Sequence, residues 1–258
     1  MSEHLKLDLT PPVAVLRLNR PEKLNALTCE MIDALANAAD RIEAEAEIRA
    51  AILTAEGGKS FCVGADIKAW SALSPLDMWR WWTARGHRTF DRLARLRVPV
   101  VAALSGHALG GGLELAATAD IRIAEEHAKF GLPEVGIATT PGWSGTQRLV
   151  RRAGSQAVRR LVLTGDPVDA QTALSLGIVD EVVPMGAALA RAREIAATIA
   201  SRAPVSIQLA KQMVNAAEGE ETGDILERMA GALSAFTEDA QEGAKSFAEK
   251  RPPNFKGC

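Results

Sequence analysis

The sequence predicts an α/β fold followed by a helical tail. Strand-like apolar runs alternate with helical stretches over the first ~180 residues, as expected of parallel strands joined by helices. From Met185 to about Glu249 only helical patterns remain. The chain has 258 residues, 47% of them hydrophobic, which suits one large domain or a domain with an appendage. The expected division is therefore an α/β body over residues 1–184 and a helical region over 185–258.

Each element follows from local pattern. Val13 to Leu18 alternates valine and leucine with other residues and reads as a strand, broken by Asn19 to Pro21. Thr28 is placed to cap a helix from Cys29 to about Glu45. Arg49 to Thr54 is a second strand, EGGKS a turn, and Asp66 a cap for a helix starting near Ile67. Pro75 to Leu96 is helical and rich in arginine and tryptophan. Pro99 ends it, and Val100 to Leu104 is a buried strand. A glycine stretch then opens a short helix to about Thr118, and Ile121 to Ala124 is a further strand.

In the tail, Ile207, Ala210, Val214 and Ala217 share one helix face, and Ile225, Met229, Leu233 and Phe236 share another. Ala203-Pro204 separates two of these helices, and Thr237 ahead of Glu238 and Asp239 is an N-cap with an acidic first turn. Apolar faces of this length wrap the chain's own body or pack on a neighbour. No clean internal repeat stands out.

Composition excludes several classes. Thirty Lys and Arg against 32 Asp and Glu leave no basic excess for nucleic acid or an anionic membrane. Cys29, Cys62 and Cys258 lack zinc-type spacing and read as free thiols in a reducing compartment. His4, His87, His107 and His127 have no metal-ligand spacing either. The N-terminal stretch MSEHLKLDLT has no basic-then-apolar signal pattern, and no apolar run approaches the ~20 residues of a membrane span. A cytoplasmic protein is expected.

Three stretches carry candidate chemistry. SGHALGGGLELAATAD (Ser105 to Asp120) sets Gly110, Gly111 and Gly112 at a helix N-terminus, with Glu114 one turn in. Backbone N–H groups there lack helical partners, and a ligand atom can approach them closely where no side chain intervenes. The stretch lacks the Lys-Ser or Lys-Thr of a phosphate loop and fails the GxGxxG spacing. It is suited to an oxyanion hole with an adjacent acid or base. Close helix–strand packing with a solvated Glu114 is the alternative. FCVGADIK (Phe61 to Lys68) is a second glycine turn after a strand, offering an N–H from Ala65. KFGLPEVGIATTPGWSGTQRL (Lys129 to Leu149) holds Glu134 among apolar residues. Such a carboxyl has a raised pKa and can act as an acid, or it can form an ion pair with a residue such as Arg148.

NRPEKLNALT, FCVGADIK, GHALGGGLELAATAD, FGLPEVGIATTPGWSGTQRL and FAEKRPPNFKGC together resemble the enoyl-CoA hydratase/isomerase (crotonase) family, in the family's order and over nearly the whole chain. The resemblance implies a spiral of ββα repeats with a C-terminal helical trimerisation region, assembled as a trimer or a dimer of trimers. It implies an acyl-CoA thioester as ligand, with coenzyme A entering as part of the substrate and no other cofactor or metal. The family's oxyanion hole falls on Ala65 and Gly111, its two hydratase glutamates on Glu114 and Glu134, and its water-holding glycine on Gly142. Contacts to CoA fall on Lys23, Leu24 and Ala26, on Gly64, Asp66, Ile67 and Lys68 around the second glycine turn, and on Phe255 and Lys256, the last two sometimes serving a neighbouring subunit.

Subtype is set by the acid–base residues. Both hydratase positions are filled, and the chain has no tyrosine, which argues against relatives that use one. Hydration of a 2-enoyl-CoA is the expected reaction, with Glu114 as base toward water and Glu134 as proton donor to Cα. An isomerase, a hydrolase and a noncatalytic acyl-CoA-binding relative are the alternatives; a two-carboxylate glycosidase leaves the paired glycine turns unexplained. Trp143 and Ser144 depart from the small residues usual there. Trp143, Trp79 and Trp82 are therefore candidate linings of the acyl pocket, with ordinary packing as the other reading.

Overall fold

The computed structural model describes residues 3–220 and 222–258. Its strands are β1 (Leu5–Asp8), β2 (Val13–Leu18), β3 (Ala50–Ala55), β4 (Ser60–Cys62), β5 (Val100–Leu104), β6 (His107–Leu109), β7 (Ile121–Glu125), β8 (Lys129–Gly131), β9 (Val168–Asp169) and β10 (Glu181–Val183). Its helices are α1 (Cys29–Ala44), α2 (Ile67–Trp70), α3 (Pro75–Asp77), α4 (Ala84–Ala94), α5 (Gly111–Ala116), α6 (Gly145–Thr164), α7 (Ala170–Ser175), α8 (Ala188–Ala200), α9 (Pro204–Ala217), α10 (Thr222–Ala235) and α11 (Glu238–Glu249). A π-helical turn, Met78–Thr83, joins α3 to α4, and short 3-10 turns occupy Pro21–Lys23 and Pro133–Ile137.

The strands form two sheets. The larger runs β1-β2-β3-β5-β7-β10, parallel except for the β1–β2 pair; the smaller runs β4-β6-β8-β9, with β9 antiparallel. Chain order explains the geometry. β3 then β4, β5 then β6, and β7 then β8 each give one strand to the larger sheet and the next to the smaller, before the chain turns into helix. Three ββα turns thus stack as a spiral, although the sequence repeats nothing legible. The loops after β4, β6 and β8 leave the same end of the smaller sheet, side by side.

Local chemistry fixes the elements. The Thr28 hydroxyl accepts from the Met31 N–H and caps α1, and Asp66 accepts from the Lys68 N–H and caps α2. β3 and β5 are buried along their whole length, as expected of strands covered on both faces.

One compact unit ends at Gln208, and a second spans Leu209–Cys258. The boundary therefore lies later than the one expected at 184/185. The reason is α8, whose Ala188, Ala192 and Ala196 are fully buried in a cluster with Ala50, Ile52, Val101 and Ala103. Alanine at every fourth position gives a flat stripe that lies close against the larger sheet. In the second unit, α11 is capped by Thr237, and the 251–258 segment folds back on it through Arg251–Glu242 and through the Lys256 and Gly257 N–H groups donating to Asp239.

Candidate active site

The site is built from those three adjacent loops. After β4 the chain turns at Gly64, whose φ of 98° suits glycine. A parallel bridge to Leu27 holds the turn: the Leu27 N–H donates to the Gly64 carbonyl and the Asp66 N–H to the Leu27 carbonyl, both at 2.8 Å. The Ala65 N–H, between them, has no protein acceptor among the described residues. After β6 the chain turns at Gly110, at φ 54° and ψ −131°, and α5 begins at Gly111. The Gly111 N–H likewise has no acceptor among the described residues. The two turns touch: a Cβ built on Gly64 would stand 3.1 Å from the Gly111 nitrogen.

Glu114 follows in the first turn of α5 and is only 2% exposed, so the reading of a solvated first-turn residue is overturned. Its Oε1 accepts from the Trp143 N–H at 2.8 Å and the Gly145 N–H at 2.9 Å, and its Oε2 from the Gly142 N–H at 3.4 Å. The N-terminus of α6, not of α5, therefore cradles the carboxylate. Gly145 is required for this approach, because a Cβ there would meet Glu114 Cγ at 2.2 Å. Burial raises the Glu114 carboxyl above the usual carboxylate range, while these N–H donors and the Arg148 charge pull it back.

After β8 the 3-10 turn presents Glu134. Its Oε1 would lie 2.9 Å from a Cβ on Gly110, so the carboxyl reaches the glycine turn. Its Oε2 is shut from solvent without a hydrogen-bond partner among the described residues. Burial, aided by the Glu114 charge and opposed by a bond from its own N–H, pushes the Glu134 carboxyl up to about 7. The ion-pair reading with Arg148 is overturned: Arg148 pairs with Asp91, which also accepts from the Ser144 hydroxyl. Glycine packing does hold at Gly112, where a Cβ would strike the Cys62 carbonyl oxygen at 2.0 Å.

The remaining candidates divide. Lys23, Leu24 and Ala26 lie on the turn ahead of Leu27, with Leu24 and Asn25 in left-handed backbone. Asn25 was missed by motif reading and is fully buried. It donates to the Glu56 and Ser60 carbonyls and accepts from the Arg20 N–H. Arg20 ties this turn to the next one by donating to Ala26 O and Asp66 Oδ2. The Asp66 carboxylate is thus engaged by the Arg20 guanidinium and by the Lys68 N–H at the α2 cap. Ile67 and Lys68 stand exposed beside it. Phe255 and Lys256 lie in the second unit, both exposed.

Trp143 and Trp82 are buried, with ring centroids 5.3 Å apart, and Phe90 meets Trp143 edge-on at 5.2 Å. Trp79 is 70% exposed. Three positions apart on a π-helical turn, Trp79 and Trp82 point to different sides, and Trp82 takes the inward one. Among the described residues no His, Cys, Asp or Glu cluster could hold a metal ion.

Two convergent glycine turns with free N–H groups, flanked by two carboxyls of different character, form a site chemically suited to stabilising an oxyanion and moving protons. A sequence profile of the enoyl-CoA hydratase/isomerase family matches residues 10–258, and the chain belongs to that family. It is 41% identical to the short-chain-enoyl-CoA hydratase of Clostridium acetobutylicum over 93% of this chain and 92% of that one. It is 38% identical to the crotonyl-CoA hydratase of Syntrophomonas wolfei over 98% of both. The crystal structure of an enoyl-CoA hydratase from Bacillus anthracis superposes with a TM-score of 0.81 at 37% identity, covering 99% of this chain and 100% of that one.

Proposed function

We propose that the chain acts as an enoyl-CoA hydratase in which Ala65 and Gly111 form the oxyanion hole and Glu114 and Glu134 move the protons. The observation that carries this reading is the contrast between the two carboxyls across one pair of free N–H groups. The thioester oxygen of a 2-enoyl-CoA accepts from both N–H groups. Water held on Glu114 Oε2, where the Gly142 N–H donates at only 3.4 Å, attacks Cβ and gives its proton to Glu114. The electrons of the double bond move onto the thioester oxygen, where each donor contributes about 3 kcal/mol to the enolate-like transition state. Cα then takes a proton from Glu134, whose carboxyl burial pushes up to about 7. The product is the 3-hydroxyacyl-CoA, and proton exchange with solvent resets the pair.

The turn at Lys23, Leu24 and Ala26 supports the adenosine end of CoA through its backbone, and Gly64, Ile67 and Lys68 border the pantetheine path. Phe255 and Lys256 add to CoA binding, from this chain or a neighbour. Exposed Val214, Leu233 and Phe236 on the tail helices support assembly as a homotrimer or a dimer of trimers. Among the described residues no helix is long and apolar enough to cross a membrane. A cytoplasmic place in fatty-acid β-oxidation suits this chemistry, with CoA supplied by the substrate.

The test is to mix the protein with crotonyl-CoA, follow loss of the enoyl-thioester absorbance and weigh the product. Gain of one water is expected. Unchanged mass with a shifted double bond would assign an isomerase, and free CoA a hydrolase.

A further inference from the structure

Trp143 is the largest departure from a small-residue site, and its surroundings give it a specific place. Its backbone N–H holds Glu114 while one edge of its indole meets the glycine turn: a Cβ on Gly111 would stand 2.7 Å from Trp143 Cζ3 and 2.8 Å from Cε3. The other edge of the ring enters a notch in α4, where a Cβ on Gly86 would strike Trp143 Nε1 at 2.1 Å. Trp82 and Phe90 close around it. The same π-helical turn that supplies Trp82 sets Thr83 against Gly142, with Thr83 Cγ2 3.3 Å from a Cβ built there. Thus Thr83 stands against Gly142, and Trp82 packs on Trp143, beside the backbone N–H groups that hold Glu114.

An acyl chain has little choice of route. Its thioester oxygen sits at the Ala65 and Gly111 N–H groups, and its Cβ must face the water on Glu114. The next carbons therefore run toward the groups that surround Glu114, and the bulkiest of these is the indole. We propose that Trp143, backed by Trp82 and seated in the Gly86 notch, is the end wall of the acyl site and restricts the enzyme to short 2-enoyl groups. This rests on the hydratase reading above. A buried indole cannot swing aside without displacing Trp82 or Phe90, so added methylenes meet a fixed surface.

The experiment compares kcat/KM for crotonyl-, 2-hexenoyl- and 2-decenoyl-CoA in wild type, Trp143→Ala and Trp82→Ala, with melting curves for each. The wild type is expected to lose at least about tenfold from crotonyl to decenoyl, since a misfit of one methylene alone is worth that much in an apolar pocket. Trp143→Ala should shift the decenoyl-to-crotonyl ratio upward by about tenfold or more, and Trp82→Ala by less, because it only loosens the wall. A flat or rising wild-type profile overturns the proposal, and so does an unchanged ratio in a folded Trp143→Ala variant. If neither variant folds, the wild-type profile alone decides. Absence of hydration on every chain length would instead count against the hydratase reading.

Discussion

Glu114 and Glu134 face the same glycine turn, yet their surroundings are opposite. Glu114 projects from a helix into three backbone N–H groups and is wholly buried; Glu134 sits on a 3-10 turn with one oxygen sealed in and unpartnered. Burial raises both carboxyls. Three backbone N–H donors and the Arg148 charge favour the Glu114 anion, whereas Glu134 has only a bond from its own N–H and is further pushed up by the Glu114 charge. Desolvation alone does not assign an acid and a base; the hydrogen-bond donors separate the two roles. Because the groups interact, protonation belongs to the pair, and the three N–H donors make Glu114 the better-supported seat of the negative charge.

The largest effects come from deleting either role. Glu114→Gln should lower kcat by about 10³-fold, since the amide cannot take a proton from water and faces three N–H donors with one carbonyl oxygen. Glu134→Gln should lower kcat by about 10²-fold or more. Single-turnover hydration of crotonyl-CoA, read beside CoA-ester binding, measures both. Binding should persist in each variant, and near-normal turnover in either would sink the assignment of that residue.

A second expectation separates the two by pH. The folded Glu134 carboxyl, at about 7, lies above its ordinary value of 4.5, so the native state binds this proton more tightly than the unfolded chain. Its contribution to stability is fully present below pH 4.5, falls as pH rises toward about 7, and is gone above it. Glu134→Gln should therefore match the wild type in melting temperature at low pH and exceed it at pH above about 8. Thermal melts across that range check this. In the same window wild-type kcat/KM should fall as pH rises through about 7, as the proton donor is lost.

How much of this contrast was legible before the fold was known depends on the distance in sequence over which each feature is made. The two glycine turns and both glutamates were readable, because a glycine run opening a helix and a lone acid among apolar residues are local signals. The cradle was not. Glu114 meets Trp143 and Gly145 about thirty positions away, and the sequence pointed instead to its own helix N-terminus. The Asp91–Arg148 pair spans 57 positions, and nothing near Arg148 announces its partner. Gly86 inside a helix was the one clue to the seat of Trp143, since glycine is poor there without a packing reason. β4, β6, β8 and β9 are two or three residues long, too short for alternation to reveal them, so the ββα repeat stayed hidden outside the family resemblance.

A smaller effect tests the cradle itself. Gly145→Ala puts a methyl group 2.2 Å from Glu114 Cγ, so either α6 or Glu114 must move. It should cost about 1–3 kcal/mol of stability, read by denaturant unfolding. It should also lower kcat more than it changes CoA-ester binding, because the displaced group is the base. A variant with intact stability and turnover would mean that Glu114 is not held where the hydrogen bonds place it.

The smallest expected effect is at Ser144, between the two residues whose N–H groups hold Glu114 Oε1. It sits at φ 70°, a left-handed conformation in which a side chain costs about 1 kcal/mol, and its hydroxyl donates to Asp91 at 3.0 Å. Ser144→Gly removes the strain and the hydrogen bond together, and a net bond to a carboxylate is worth about 1.5–3 kcal/mol. Stability should therefore fall by no more than about 2 kcal/mol. The informative reading is kcat. If α6 packing and the Asp91–Arg148 pair keep the N–H groups in place, turnover changes by less than about threefold, under 1 kcal/mol of barrier. A loss beyond tenfold, with stability unchanged, would show that the serine hydroxyl aligns the cradle, making Ser144 a positioning residue for the base, not a tolerated substitute for glycine.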